Sequence, residues 1–154
     1  MEIERKFLID SLPGDVNLSA CKKREIEQGY LCTSPVVRVR RDNDDYYLTY
    51  KGGGLMAREE YNLPLTRSAY DTLLPKSEGN IITKTRYEIP DRDGLIIELD
   101  YFHGVFEGLV LAEVEFPSIK AANSYRMPDW FTEDVTENPA YHNSNMAMRK
   151  MEAK

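Results

Sequence analysis

The sequence predicts an α+β fold that is mainly β: an eight-stranded antiparallel barrel, closed or nearly closed, with short flanking helices and a C-terminal helix. Three observations support this fold class. Eight stretches alternate apolar and polar residues with a period of two, and turn-forming residues separate most of them. The charged positions of one stretch also tend to carry one sign, as Arg38 and Arg40 do. A solvated sheet face usually mixes signs, so this pattern favours charges facing an interior.

The alternating stretches and the turn formers give the elements in order. The strands are predicted at about residues 2–9, 24–32, 35–41, 45–51, 57–65, 82–89, 95–101 and 109–116. Short connections such as 42–44, 52–54 and 91–94 favour antiparallel pairing. Helices are predicted at 67–74 after Thr66, at 119–125 after Ser118, and at about 143–152. Trp130 and Phe131 are interpreted as the apolar anchor of a further short helix.

Composition limits the classes of partner and compartment. The chain has 154 residues, which predicts one domain spanning 1–154. Its 20 Lys and Arg against 26 Asp and Glu give a net charge of −6, which argues against duplex nucleic acid or an anionic membrane as the main partner. Cys21 and Cys32 lack zinc-ligand spacing, and no apolar run approaches the ~20 residues that span a bilayer. A reduced, cytoplasmic location is the expectation.

The charged faces of separate strands predict one shared cavity. In a strand, side chains at i and i+2 project together, so Glu2, Glu4 and Lys6 share a face. Closing the barrel would direct this face inward, together with an acidic set and a basic set from other strands. The further acids are Glu60, Glu98, Asp100, Glu113 and Glu115, and the further bases are Arg38, Arg40, Lys51, Arg58, Lys84 and Arg86. An ordinary antiparallel sheet with one wet face is the alternative.

So many charges cannot be buried without partners, because isolated buried ions are very costly. A triphosphate bound with Mg²⁺ or Mn²⁺, as one or two ions, would complete both sets. Carboxylate oxygens suit these cations, and Arg and Lys suit phosphate oxygens. A water molecule could then attack the terminal phosphorus while basic residues stabilise the developing charge. The pattern therefore predicts metal-dependent chemistry on a small polyanion.

The ordered motifs resemble the CYTH domain, or triphosphate tunnel metalloenzyme, family in its short bacterial branch. The motifs, in chain order, are Glu2-x-Glu4-x-Lys6, Gln28-Gly29-Tyr30-Leu31, Arg38-x-Arg40, Thr49-x-Lys51, Arg58-x-Glu60, Lys84-x-Arg86, Glu98-x-Asp100 and Glu113-x-Glu115. The C-terminal 141–145 stretch also resembles the family's tail, which leads into a helix against or inside the tunnel. One departure is Asn62, which stands at the last acidic position of the Arg-x-Glu-x-Glu strand that is common in the family.

The resemblance implies a set of site residues. The metals would be held by Glu2, Glu4, Glu113 and Glu115, together with Glu60 and Asp100. The triphosphate would be held by Lys6, Arg38, Arg40, Lys51, Lys84 and Arg86, and the charge pattern adds Arg58 to this substrate-binding set. The predicted catalytic residues are Lys6, Tyr30, Arg40 and Lys84, with the Tyr30 hydroxyl near Lys6. A plain core role is the alternative for Tyr30.

The leading hypothesis is hydrolysis of a triphosphate, most plausibly inorganic tripolyphosphate, with nucleoside or thiamine triphosphate as further candidates. Two alternatives stay open. One is a class IV type of adenylate cyclase, which would convert ATP to cyclic AMP and diphosphate. The other is a polyphosphate-binding module without catalysis. The expected partner is a small-molecule triphosphate, and a homodimer is left open.

Overall fold

The alternating stretches form one antiparallel sheet that curves into a nearly closed barrel. A computed structural model describes residues 1–149 of the chain. The strands are β1 Glu2–Ile9, β2 Lys22–Thr33, β3 Val36–Asp42, β4 Asp45–Lys51, β5 Ala57–Arg58, β6 Glu60–Pro64, β7 Glu78–Pro90, β8 Ile96–Phe102, β9 Val110–Glu115 and β10 Phe131–Asp134. Their order in the sheet is β10-β1-β9-β8-β7-β2-β3-β4-β6, and β5 pairs with β1. The predicted fold class is confirmed.

A change of partner within one segment brings the two ends of the barrel wall together. The predicted strand 57–65 is interrupted at Glu59, and its two parts pair with different neighbours. In β5, Arg58 lies opposite Glu2 of β1. In β6, Glu60 lies opposite Lys51 of β4. The segment thus joins the first strand to the fourth, which leaves eight positions around the barrel and adds β10 outside them.

The helices are short, and their starts follow the predicted caps. They are α1 Arg67–Leu73, α2 Ile119–Ser124 and α3 Asn143–Met148, with single 3-10 turns at Leu18–Ala20, Leu74–Lys76, Arg92–Gly94, Gly104–Phe106 and Pro139–Tyr141. The Thr66 hydroxyl accepts a hydrogen bond from the Ala69 amide, and Ser118 caps α2 in the same way. The predicted end of the last helix at 150–152 lies outside the described residues. Over residues 1–149, no helix is long and apolar enough to cross a membrane.

The outward strand faces supply the larger apolar core. Phe7 on β1, Leu99 on β8 and Val114 on β9 are fully buried and pack together beneath α2. Each of these residues alternates with a charged neighbour, because successive side chains of a strand point to opposite faces. The charged neighbours therefore face the barrel interior. This is the inside-out arrangement that the strand pattern predicts.

The inward faces change character toward one end of the barrel. Two residues from charged positions, the same strand faces carry Ile82, Phe102 and Leu111, and Tyr30 lies two residues from Gln28 on β2. All four are buried. These side chains belong to a second apolar cluster that includes Met146 and other residues of α3. The α3 helix thus seals one end of the interior with an apolar contact, while the charged positions surround the open part.

The interpretation of Trp130 and Phe131 as part of a short helix is wrong. Phe131 begins β10, which pairs with the second half of β1 and places Phe131 opposite Ile9. The Phe131 ring packs against Phe7 with ring centroids 4.8 Å apart. The free edge of β1 needs hydrogen-bonding partners, and β5 covers only its first residues. Pairing with β1, a tertiary effect, therefore determines the conformation of this short segment.

The contact between α3 and the barrel gives a stability prediction at Gly79. Gly79 has φ +70°, and an added Cβ would lie 2.2 Å from the Ala147 carbonyl oxygen. We expect Gly79→Ala to destabilise the protein by roughly 1–3 kcal/mol, because backbone strain and a backbone clash add together. Urea unfolding measures this change. Gly14→Ala, where a Cβ meets nothing within 4 Å, is the control. Equal stability of the two variants would contradict the close α3 contact.

Candidate active site

The barrel encloses a polar cavity of about 410 Å³, and residues at the start of α3 line part of it. Every sequence-predicted site residue except Asp100 lines it. These lining residues are Glu2, Glu4, Lys6, Tyr30, Arg38, Arg40, Lys51, Arg58, Glu60, Lys84, Arg86, Glu113 and Glu115. Arg24, Glu98, His142 and Asn143 line it as well. Acidic and basic side chains from separate strands therefore do surround one interior cavity, as the sequence predicts. The individual roles of these residues stay predictions.

Arg38 and Arg40 form the part of the cavity with unbalanced positive charge. Both are buried on β3, and within residues 1–149 neither has a carboxylate at ion-pair distance. Arg38 donates to the Thr49 hydroxyl at 3.1 Å, but its Nε has no hydrogen-bond partner. Burial, followed by the neighbouring Arg40, lowers the pKa of Arg38. A buried guanidinium with an open donor is suited to an anionic ligand.

Arg86 has the opposite environment, because carboxylates surround it. Its guanidinium donates to both oxygens of Asp100 at 2.7 and 2.9 Å, to Glu113 at 2.6 Å and to Glu98 at 3.0 Å. Although burial opposes the charge, these acids raise the pKa of Arg86 well above its ordinary value. Arg86 consequently organises the acidic strands β8 and β9, and less of its charge is left for a ligand.

Asp100 lies behind the cavity wall and differs in this from the other predicted metal ligands. Its side chain is 1% exposed, forms an ion pair with Lys84 Nζ at 2.9 Å and accepts hydrogen bonds from Arg86. Burial raises the pKa of Asp100, but Arg86 and Lys84 outweigh it and the pKa is lowered. In this arrangement Asp100 acts as the internal counter-ion of two cations.

Lys84 joins this network from β7. Burial lowers its pKa to about 8, against the opposing effect of Asp100. Its ammonium also donates to the Asn143 side-chain oxygen at 2.9 Å and lies 5.3 Å from the Phe102 ring centroid. The hydrogen bond to Asn143 uses one of its three N–H groups, so Lys84 can also donate to a ligand in the cavity.

Carboxylates of β1 and β9 form the acidic side of the cavity. Glu4 lies directly opposite Glu115 in the strand register, and Lys6 lies opposite Glu113. Burial, followed by the charge of Glu113, raises the pKa of Glu4. Burial and Glu4 together raise the pKa of Glu2 to about 8. If these carboxyl groups were all ionised, their negative charge would exceed what their surroundings compensate.

Two lysines now hold part of this acidic set. Lys51 Nζ lies 2.8 Å from Glu2 Oε1 and 3.5 Å from Glu60 Oε2. Lys6 Nζ lies 3.0 Å from Glu113 Oε1. Across residues 1–149, no three Asp, Glu, His or Cys side chains converge as a ready metal-binding group. The all-oxygen donor set nonetheless fits a hard divalent cation, which would compete with these lysines for the carboxylate oxygens.

The position of Asn62 explains the departure from the family motif. Its side-chain oxygen accepts from the Thr49 hydroxyl at 2.6 Å, and its amide nitrogen donates to Glu60 Oε1 at 3.1 Å. Thr49 in turn accepts from Arg38. Asn62 therefore links the predicted metal residue Glu60 to the predicted phosphate-binding residue Arg38 through neutral groups. An acidic residue here would place a further charge beside Glu60.

The sequence patterns predict no role for several residues that lie around the cavity. Gln28 Nε2 donates to the Tyr30 hydroxyl at 3.2 Å, so the hydrogen-bond partner of Tyr30 is Gln28 and not Lys6. Arg24 binds Asp42 through both nitrogens of its guanidinium edge and reaches Glu98 at 3.3 Å. The period of two along β2, which places Arg24, Gln28 and Tyr30 on one face, was the available signal for these positions.

Comparison with known proteins agrees with this geometry. The model of the CYTH domain matches residues 1–144. An inorganic triphosphatase of Nitrosomonas europaea is 41% identical over 96% of this chain and 97% of its own. An inorganic triphosphatase of Acetivibrio thermocellus is 39% identical over 94% and 92%. A crystal structure of an inorganic triphosphatase has a TM-score of 0.71 at 36% identity, covering 97% of this chain and 96% of that chain. The chain belongs to the CYTH domain family.

Proposed function

We propose that the protein is a metal-dependent triphosphatase that hydrolyses inorganic tripolyphosphate to orthophosphate and diphosphate. The observation that carries this proposal is the pair Arg38 and Arg40, buried in the cavity without carboxylate partners and facing strands with excess negative charge. An anion would compensate the arginines, and a divalent cation would compensate the acids. A triphosphate with its metal ion supplies both.

The basic residues of the cavity are the proposed ligands of the phosphate groups. Arg38 and Arg40 would bind phosphate oxygens through their remaining N–H groups, and Lys6 and Lys84 would add point charges. During attack of water on the terminal phosphorus, negative charge develops on the transferred group and on the leaving diphosphate. Fixed cations stabilise that charge without reorganising, which is the main source of acceleration in phosphoryl transfer. Tyr30, buried between Gln28 and the cavity, is the proposed partner that orients groups near the reacting phosphate.

Membership of this family implies a divalent metal, and we propose Mg²⁺ or Mn²⁺, as one or two ions. Glu2, Glu4, Glu113 and Glu115 would hold it, because they line the cavity and the pKa values of Glu2, Glu4 and Glu115 are raised by burial and mutual repulsion. When bound, such an ion neutralises phosphate charge and polarises a phosphoryl oxygen. Asp100 would support this group from behind by holding Lys84 and Arg86.

The cavity lining supports an inorganic triphosphate over a nucleotide or thiamine triphosphate. Val36 is the one aliphatic residue among the lining side chains, and Tyr30 and Tyr47 are the only large aromatic ones in the described part of the chain. Organic ligand sites are usually lined mainly by apolar and aromatic groups, on which a base or a thiamine ring would stack. A cavity of charges suits a ligand made almost entirely of phosphate. A homodimer, a single domain and a cytoplasmic location stay predictions.

The proposal predicts the products of a direct assay. The purified protein is incubated with tripolyphosphate, ATP or thiamine triphosphate, each with Mg²⁺, Mn²⁺ or a chelator, and orthophosphate and cyclic AMP are measured in parallel. We expect orthophosphate release that needs the metal and is fastest from tripolyphosphate, because this substrate best fits the charged lining. Cyclic AMP from ATP would instead indicate a cyclase. Thermal stabilisation by tripolyphosphate without any product would indicate a binding module.

A further inference from the structure

Two buried amide side chains lie directly behind the proposed phosphate-binding residues. Gln28 on β2 is fully buried, and Asn143 at the start of α3 is 8% exposed. Gln28 Nε2 donates to Asn143 Oδ1 at 3.0 Å, across 115 positions of sequence. Buried polar side chains must be hydrogen-bonded to avoid a large penalty, so a fully satisfied pair of this kind specifies one arrangement of its neighbours.

Gln28 holds Arg40. The oxygen of Gln28 accepts from Arg40 Nε at 2.7 Å, and the Tyr47 hydroxyl accepts from Arg40 Nη1 at 3.4 Å. Both acceptors are neutral, so they fix the guanidinium plane without cancelling its charge. Arg86, two strands away, is held by carboxylates. The difference in partner type leaves Arg40 with a full charge and with further N–H groups for an anion.

Asn143 holds Lys84 in the same manner. Its oxygen accepts from Lys84 Nζ and from Gln28 Nε2, while Asp100 Oδ2 lies 2.9 Å from Lys84 Nζ as its ion-pair partner. The hydrogen bond to Asn143 uses one of the three N–H groups of Lys84 and adds no negative charge beside the ammonium. A polar chain therefore runs from Arg40 through Gln28 and Asn143 to Lys84. It connects β3, β2 and β7 to α3, the helix that closes the barrel end.

We propose that Gln28 and Asn143 are positioning residues for the triphosphatase reaction. Their neutral oxygens hold Arg40 and Lys84 in place without adding negative charge, so that both cations stay directed at the phosphate oxygens of the substrate. This inference rests on the proposed function and adds to it two residues that act through Arg40 and Lys84. Asn143 belongs to α3, so the helix that closes the barrel end also positions Lys84.

Isosteric charge substitutions test this role. In Gln28→Glu and Asn143→Asp one oxygen acceptor and the side-chain shape are kept, but a carboxylate now compensates Arg40, or adds a second negative charge beside Lys84 next to Asp100. We expect the Kd for tripolyphosphate, measured by calorimetry in the presence of a chelator, to rise by at least about tenfold in each variant. We also expect each variant to raise KM more than it lowers kcat. The melting temperature of each variant is measured beside its affinity, because Gln28→Glu also removes the Nε2 donor to Tyr30 and Asn143.

Asn123→Asp on the exposed surface of α2 adds the same charge outside the cavity and is the matched control. Gln28→Met, which removes all three side-chain hydrogen bonds of Gln28 at similar volume, should also weaken binding, although Arg40 keeps its charge. Wild-type affinity in Gln28→Glu and Asn143→Asp would overturn the inference, and so would a loss of affinity that only follows a loss of melting temperature. If the wild type binds no tripolyphosphate in chelator, Arg40 and Lys84 do not bind the phosphate oxygens of the substrate, and the inference also fails. Tripolyphosphate binding by the wild type without metal-dependent orthophosphate release would reject the proposed function instead.

Discussion

Replacing Glu4 with Gln should lower metal-dependent turnover of tripolyphosphate by at least about 100-fold, because it removes a charged oxygen ligand from the proposed metal group. Glu4 lies in the cavity, opposite Glu115 on the neighbouring strand, and its carboxylate has no lysine or arginine at ion-pair distance in residues 1–149. Glutamine keeps the volume of the side chain and one oxygen. The loss therefore reports the charge of Glu4 and not its shape.

The same substitution should leave the ligand-free protein equally stable or more stable. Burial and the charge of Glu113 raise the pKa of Glu4 above its ordinary value of 4.5, so ionisation costs folding free energy. For an acid whose pKa is raised on folding, that cost begins near the unfolded pKa and grows as the pH rises. The stability advantage of Glu4→Gln over the wild type should therefore increase from about pH 4.5 upward.

Orthophosphate release with saturating Mg²⁺ or Mn²⁺ and thermal unfolding at several pH values check the two parts separately. Glu133→Gln, at an exposed position of β10 beside β1, is the matched control and should change neither. Activity of Glu4→Gln within a few-fold of wild type would remove Glu4 from the metal group. A large loss of stability would show that Glu4 supports the fold.

Glu4→Gln is expected to lower activity without lowering stability, and the sequence shows why. The side chains of a strand alternate between its two faces, so the sequence alone predicts that Glu2 and Glu4 share one face of their strand and that Arg38 and Arg40 share one face of theirs. Like charges that share a buried face repel each other and therefore lower the stability of the fold. Conflict between local charge and stability is thus itself a signal of a functional site.

Features that depend on tertiary contacts could not be predicted in this way. The role of Asp100 as a counter-ion behind the cavity depends on Lys84 and Arg86 closing over it, and its alternation pattern is the same as that of exposed acids. The Gln28 and Asn143 pair joins residues 115 positions apart, and single amides carry no periodic signal. The strand β10 has only four residues, too few for periodicity to distinguish it from a helix.

Replacing Arg40 with Ala should likewise lower turnover by at least about 100-fold, but by a different route. Arg40 is held by neutral groups, with Gln28 and Tyr47 as its partners, so its charge is available to the phosphate oxygens in both the bound and the transition state. We therefore expect weaker tripolyphosphate binding even in chelator, where Glu4→Gln should bind as tightly as wild type or tighter. This contrast separates the anion-binding side of the cavity from the metal-binding side.

Arg41→Ala is the matched control, because Arg41 follows Arg40 on β3 and is exposed on the opposite face of the strand. It removes the same charge from the protein as a whole and should leave both affinity and turnover within about twofold, since an exposed charge is screened by solvent. Equal losses in the two variants would mean that net charge, and not the cavity, attracts the substrate. Near-wild-type turnover of a folded Arg40→Ala variant would refute the assignment of the barrel interior as the active site, because no other buried cation in residues 1–149 except Arg38 lacks a carboxylate partner.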